Sequence, residues 1–101
     1  MYYIDGDKFR ENSSSGSVVA VLHGEKLREK SSSGTVKVVI DGDKIREKSS
    51  TGTVLAVIDG DKIREKSSTG TVINTMDKIK KEFKNPTGGR SLVAFWVAFI
   101  R

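Results

Sequence analysis

Apolar and polar positions recur along most of this chain with a period of eighteen residues. Four copies begin at Ile4, Leu22, Ile40 and Ile58, and each carries an apolar run, a Gly-containing turn and a short charged run. A degenerate fifth start follows at Met76, without the Gly-Asp or Gly-Glu pair that the earlier copies have at this point. Self-similarity at a fixed period is typical of proteins whose small units pack against their neighbours.

Each copy is predicted to form a β-hairpin. In the last complete copy, a β-branched run from Val54 to Ile58 and a second run from Lys62 to Glu65 flank the sequence Asp-Gly-Asp. Gly and Asp tolerate the positive φ angles of tight hairpin turns, so this spacing is a strong hairpin signal. The segment Ser67–Gly70 is predicted to be a loop between hairpins.

The alternation of apolar side chains predicts the register of each hairpin. A two-residue turn at Gly42-Asp43 pairs Ile40 with Ile45, and a turn at Asp41-Gly42 shifts the pairing but leaves the same side chains on one face. The opposite face then carries Asp41, Lys44 and Arg46, together with Val39. The predicted inward set is Ile4, Phe9, Val18, Ala20, Leu22, Leu27, Val36, Val38, Ile40, Ile45, Val54, Ala56, Ile58 and Ile63.

The C-terminal run Leu92–Ile100 is apolar on every side, and it is too short for the roughly 20 residues of a membrane-spanning helix. Such a segment is expected to be buried in protein. Isolated hairpins are marginally stable, and the first and last copies resemble the middle ones, which favours a closed ring over a stack with capping units. A left-handed β-helix is a lesser alternative, because no six-residue sub-period is present.

We therefore predict one all-β domain over residues 1–101. Residues 4–75 form four hairpins in a pseudo-fourfold closed ring, 76–90 form a basic connector, and 91–101 form an apolar, helical segment packed in the centre. The chain has no cysteine, so no disulfide framework is possible. No signal peptide is readable at the N-terminus, and the expected location is the cytoplasm.

The net charge of +5 is concentrated in the tail. Residues 1–76 carry a net charge of +1, and residues 77–101 carry +4. Nucleic-acid binding is not expected, because the repeats lack a basic face.

The repeated unit Ile-Asp-Gly-Asp-Lys-Ile-Arg-Glu-Lys-Ser-Ser-Thr-Gly, followed by a short apolar C-terminus, resembles the four-fold beta flower proteins. The resemblance covers essentially the whole chain. It implies hairpin petals around a pseudo-fourfold axis and a bacterial source, and it brings no activity and no functional residues with it.

The Asp-Gly-Asp turns are weak candidates for a calcium site, because they repeat carboxylates at Asp41, Asp43, Asp59 and Asp61. Hairpin tips are expected to point apart, so turn formation is the favoured interpretation. His23 is the only histidine and has no nucleophile in a strained turn beside it. We expect neither catalysis nor a cofactor.

The chain has two functional interpretations. The leading hypothesis, which rests on the repeats and on the absence of a catalytic set, is a non-enzymatic binding or structural module with a symmetric surface. Such a module would contact an unknown protein or another copy of itself. The alternative is a peripheral membrane or toxin-like effector, in which basic and apolar residues of the tail contact lipid. The candidate contact residues are Lys78, Lys80, Lys81, Lys84 and Trp96.

Overall fold

The computed structural model describes residues 1–84, 86 and 89–101. Two short helices accompany the strands: α1 (Met76–Lys80) and α2 (Arg90–Phe95), and α2 continues as a π-helical turn, Trp96–Ile100. The strands are β1 (Tyr2–Asp5), β2 (Lys8–Glu11), β3 (Val18–His23), β4 (Lys26–Glu29), β5 (Val36–Asp41), β6 (Lys44–Glu47), β7 (Val54–Asp59), β8 (Lys62–Glu65), β9 (Val72–Thr75) and β10 (Phe83–Lys84).

All these strands belong to one sheet, in which β1 to β9 follow one another in chain order and β10 lies beside β1. Neighbouring strands are antiparallel except β10, which runs parallel to β1. The hairpin prediction is confirmed, and Ile40 pairs with Ile45 across the turn Gly42-Asp43. Gly42 has a φ of 61°, which glycine adopts at no steric cost.

A β-bulge overturns part of the predicted inward face. Between each hairpin and the next, the pairing skips one residue, so that Arg28 faces Val36 rather than Lys37. The extra residue reverses which side chains point inward beyond that point. Val19, Leu55 and Ile73 are half-buried and pack against the core. The predicted Val18, Val36 and Val54 are also half-buried but do not belong to the core cluster, and the equivalent Val72 is 41% exposed.

The predicted closed fourfold ring is wrong. Among the described residues, β9 and β10 form the two edges of the sheet and do not pair with each other. β9 starts a fifth unit, but α1 takes the place of the end of that unit's first strand and of its turn. The Thr75 side chain caps α1 by accepting the Lys78 N–H, and the Gly-containing turn that would start another hairpin is missing. The chain thus crosses from one edge to the other through α1 instead of through a strand ladder.

The core lies between the inner face of the sheet and α2. Leu92, Val93, Ala94 and Phe95 have no exposed surface, and α2 packs against β4, β5 and α1. The prediction of a buried helix at the C-terminus is confirmed for Leu92–Trp96, while Val97–Ile100 are only half-buried.

Candidate functional site

The C-terminal helix runs from one rim of the sheet to the other. At its start, Arg90 Nη2 lies 3.3 Å from Asp43 Oδ1 at a hairpin tip. At its end, Arg101 Nη2 donates to Glu65 Oε2 at 2.8 Å, beside the loops that join the hairpins. We call those four loops, residues 13–16, 31–34, 49–52 and 67–70, the serine loops. The helix therefore emerges among the serine loops.

Aromatic packing fixes the helix in this position. The ring of Phe95 stacks on Phe9 at 4.6 Å and 11°, and it meets Tyr2 edge-on at 4.8 Å. Phe83 in β10 lies 5.6 Å from the same ring. The position of Phe9 is occupied by Leu27, Ile45 and Ile63 in the other copies, so the first copy is specialised to hold the helix.

The serine loops have a tight backbone structure. In the third loop, Glu47 N–H donates to the Thr53 carbonyl at 2.8 Å, and Gly52 N–H donates to the Ser49 carbonyl at 3.0 Å. A Cβ atom at Gly52 would overlap the Glu47 carbonyl oxygen, so this residue is glycine because of close backbone approach. Lys48 enters the loop with a φ of 62°.

The end of the helix forms a partly apolar surface beside the serine loops. We define the rim surface as Val97–Ile100 and the two grooves beside them. One groove has a volume of about 380 Å³ and is lined by Val36, Lys37 and Ala98, among others. The other measures about 480 Å³, and its lining includes Tyr2, Val19 and Phe99.

Lys37 is part of this surface because of the β-bulge. It occupies the position that is Val19, Leu55 or Ile73 in the other copies. Its Nζ lies 5.9 Å from the centre of the Phe99 ring and 4.0 Å from Glu29 Oε2. Lys37 therefore makes a weak cation–π contact with Phe99 and a weak ion pair with Glu29.

The charges around the rim surface are mixed. Each second strand ends in a glutamate, and three of the four serine loops begin beside a lysine. The sequence therefore places opposite charges next to each other around an apolar centre. The residues are Glu11, Glu29, Glu47, Glu65, Lys30, Lys48 and Lys66.

The outer face of the sheet carries a repeated arginine contact. Arg46 Nε donates to Asp41 Oδ2 at 2.8 Å, and its Nη1 donates to the Gly52 carbonyl at 3.0 Å. We call this two-ended contact the arginine clamp. It recurs with Arg10 and Arg64, which donate to Asp5 and Asp59 at 2.9 Å. In the second copy, His23 replaces the aspartate.

The weak calcium candidates are not brought together. Asp41 and Asp59 are held in arginine clamps, and Asp43 pairs with Arg90. Asp61 is exposed at its own turn. Within residues 1–84, 86 and 89–101, no group of three acidic or histidine side chains is arranged to hold a metal ion.

The candidate contact residues of the tail lie in two different environments. Lys78, Lys80, Lys81 and Lys84 are exposed on or beside α1 and β10, whereas Trp96 is only 9% exposed and belongs to the core. None of the helices in the described part of the chain is long and apolar enough to cross a membrane. His23 is exposed at the end of β3, where it pairs with Lys26.

The sequence indicated the tail as a candidate contact region but did not predict the rim surface. Two departures from the repeat could have indicated it. Lys37 stands in an otherwise apolar position, and Phe9 is the aromatic member of an aliphatic set.

A family model described as "6-fold beta flower protein" matches residues 1–93, which include all ten strands and the start of α2. Neither a curated protein nor a solved structure matched the chain. The beta flower resemblance is thus correct, but the fourfold count is not supported. The chain belongs to the 6-fold beta flower family, a repeat family of uncharacterised function.

Proposed function

We propose that this chain is a non-enzymatic binding module that contacts a protein partner through the rim surface. The observation that carries the proposal is the half-buried apolar end of the C-terminal helix, open between two grooves. A π-helical turn forms this end, with Arg101 N–H donating to the Trp96 carbonyl at 2.8 Å. Such turns are often found at functional sites.

The charge arrangement supports a protein as the occupant. An apolar centre inside a polar rim is the usual anatomy of a protein–protein contact. The glutamates and lysines around the rim surface alternate, so they offer complementary partners to a mixed-charge protein surface. A polyanion or an anionic membrane would meet the glutamates as well as the lysines, and this disfavours both.

Release of the apolar tail into lipid is disfavoured by its packing. Leu92, Val93 and Phe95 are fully buried, and each such side chain contributes about 1.5–3 kcal/mol when removed from water. The net stability of a domain is only about 5–15 kcal/mol. Extraction of the segment would therefore remove much of what holds the fold together.

The proposal is tested by site-specific crosslinking in the host, followed by binding with the purified partner. A photoreactive residue at Ala98, in a groove, is expected to capture one protein, and the same residue at the exposed Val72 is not. The captured protein is then purified and titrated. Ala98→Glu should weaken binding by roughly tenfold or more, as expected for an interface position, and Val72→Glu should leave it unchanged.

Two results would contradict the proposal. The first is equal binding of the purified partner to the Ala98→Glu and Val72→Glu variants, with both still folded. The second is co-sedimentation of the intact chain with anionic vesicles that is lost in the Ala98→Glu variant.

A further inference from the structure

We propose that the outer face of the second copy is a carboxylate-binding site, in which Arg28 receives an acidic side chain from a partner polypeptide. The site is centred on Arg28, and its groove shares Val18 and Lys30 with one groove of the rim surface. The proposal does not depend on the function proposed for the rim surface.

The other three copies show what a carboxylate does at this place. Arg10, Arg46 and Arg64 each donate Nε–H to an aspartate five residues earlier, at 2.8–2.9 Å. Each also donates Nη1–H to a glycine carbonyl at 3.0 Å. In three of the four copies, an aspartate of the chain itself therefore occupies the position beside the arginine Nε.

In the second copy, the Arg28 guanidinium donates to a glycine carbonyl as in the other copies, but it has no aspartate partner. Arg28 Nη1 donates to the Gly34 carbonyl at 2.9 Å. His23 stands where the aspartate would be, and Arg28 Nε is buried with no hydrogen-bond partner among the described residues. A buried charged donor without a partner is energetically unfavourable, so an arriving carboxylate gains a prepared contact.

The position is reachable from solvent. The aspartate side chains that occupy it in the other copies remain 48%, 49% and 52% exposed. His23 is itself exposed, so its side chain can move aside. An external carboxylate can therefore approach along the path that the internal ones occupy.

The surroundings offer a peptide room and three lysines, together with three acidic residues, of which Asp7 lines the same groove. Across the strands, Arg28 pairs with Val21, which in turn pairs with Lys8. Val21 and Lys8 line an open groove of about 420 Å³ that also includes Lys30. Lys26 lies opposite His23, and the nearby acidic residues are Asp7, Glu25 and Glu29.

The test follows the arginine Nε–H signals of the full-length, ¹⁵N-labelled chain by NMR during titration with a hexaglutamate peptide. The Arg28 signal should shift and saturate, while those of Arg46 and Arg64 should stay in place, because their donors are occupied. His23→Asp should weaken peptide binding by roughly tenfold or more, the value of one charge-assisted hydrogen bond.

The repeat provides a matched gain-of-site variant. Asp41→His copies the second-copy arrangement into the third copy, and the Arg46 signal should then respond to the peptide as Arg28 does. If Asp41→His lowers stability too far, the His23→Asp comparison alone decides, because that variant adds a clamp and is expected to fold.

Three outcomes would overturn the proposal. The first is that Arg10, Arg28, Arg46 and Arg64 all respond to the peptide with the same affinity, which would mean general attraction to a charged face. The second is that His23→Asp binds the peptide as tightly as the unchanged chain. The third is that acetate at the same carboxylate concentration shifts the Arg28 signal as strongly as the peptide does, which would leave a small-anion contact and no polypeptide site.

Discussion

At the scale of single residues, the entry to each serine loop carries backbone strain. Asn12, Lys30, Lys48 and Lys66 have φ angles of 61–67°. Asparagine tolerates this left-handed conformation, whereas for most other residues it costs about 1–2 kcal/mol. The first copy thus has a residue better suited to this position than the other three.

Lys48→Asn is therefore expected to raise the free energy of unfolding by about 0.5–1 kcal/mol. Urea denaturation should show a higher midpoint with an unchanged slope. The control is Lys44→Asn, which places asparagine within strand β6 and should not stabilise. An equal midpoint for Lys48→Asn and the unchanged chain would argue against strain at this position.

Single residues also show where the sequence misleads. Strict alternation correctly places Val38, Ile45 and their equivalents inside, because the turn geometry fixes that part of the register. It fails beyond the bulge, where one extra residue turns Val36 away from the core and Lys37 towards the helix end. In the other copies both neighbouring positions are apolar, so the pattern holds no signal for the bulge.

At the scale of elements, two kinds of glycine shape each hairpin unit. Gly42 needs its positive φ but has open space around its Cα, while Gly52 lies against the Glu47 carbonyl. Gly42→Ala should cost about 1–2 kcal/mol, through φ alone. Gly52→Ala should cost about 3 kcal/mol or more, because backbone atoms must separate.

Urea denaturation of the two glycine variants measures this difference directly. Equal midpoints for Gly42→Ala and Gly52→Ala would mean that the serine loop accommodates a methyl group. The close approach of Gly52 to the Glu47 carbonyl would then not restrict this position to glycine.

A side-chain hydrogen bond protects the β9 edge of the sheet. Asn74 Oδ1 accepts the Thr75 N–H at 2.8 Å, at a position that is Ala20, Val38 or Ala56 in the other copies. An unpaired strand edge is a template for association with another chain. The sequence alone did not indicate that this asparagine caps an edge.

Asn74→Ala should lower stability by about 1 kcal/mol and promote self-association, since it leaves the Thr75 N–H free. Sedimentation velocity at several concentrations measures the association. Asn74→Asp keeps the oxygen acceptor and serves as the matched control. If the Asn74→Ala variant is monomeric and as stable as the unchanged chain, Asn74 does not cap the edge.

The four hairpins could be predicted because each carries its own turn signal, a local property. β10 could not, because its two residues pair with β1 some eighty positions away and carry no strand signal of their own. The end of α1 could not be predicted from the residue spacing either. Ile79 and Phe83 are spaced for one helix face, but α1 ends at Lys80 and Phe83 lies in a strand.

At the scale of the whole molecule, the fold is completed by packing instead of by a closed ladder. The sheet has two edges, and α2 joins its inner face to α1. The likeness of the first and last copies to the middle ones predicted closure, yet the core is completed by side chains of the non-repeated tail. The tail was correctly predicted to enter the core, and Trp96, which is also a candidate contact residue, lies in that core.

The most direct test of this account is thermal unfolding, followed by circular dichroism, of a chain truncated after Gly89. A chain lacking only Arg101 is the control, since it loses one partly exposed ion pair and keeps the buried helix. The control should unfold cooperatively, and the truncated chain should show no cooperative transition, because Leu92–Trp96 are missing from the core. A truncated chain that stays folded and unfolds as cooperatively as the control would contradict the claim that the C-terminal helix holds the sheet together.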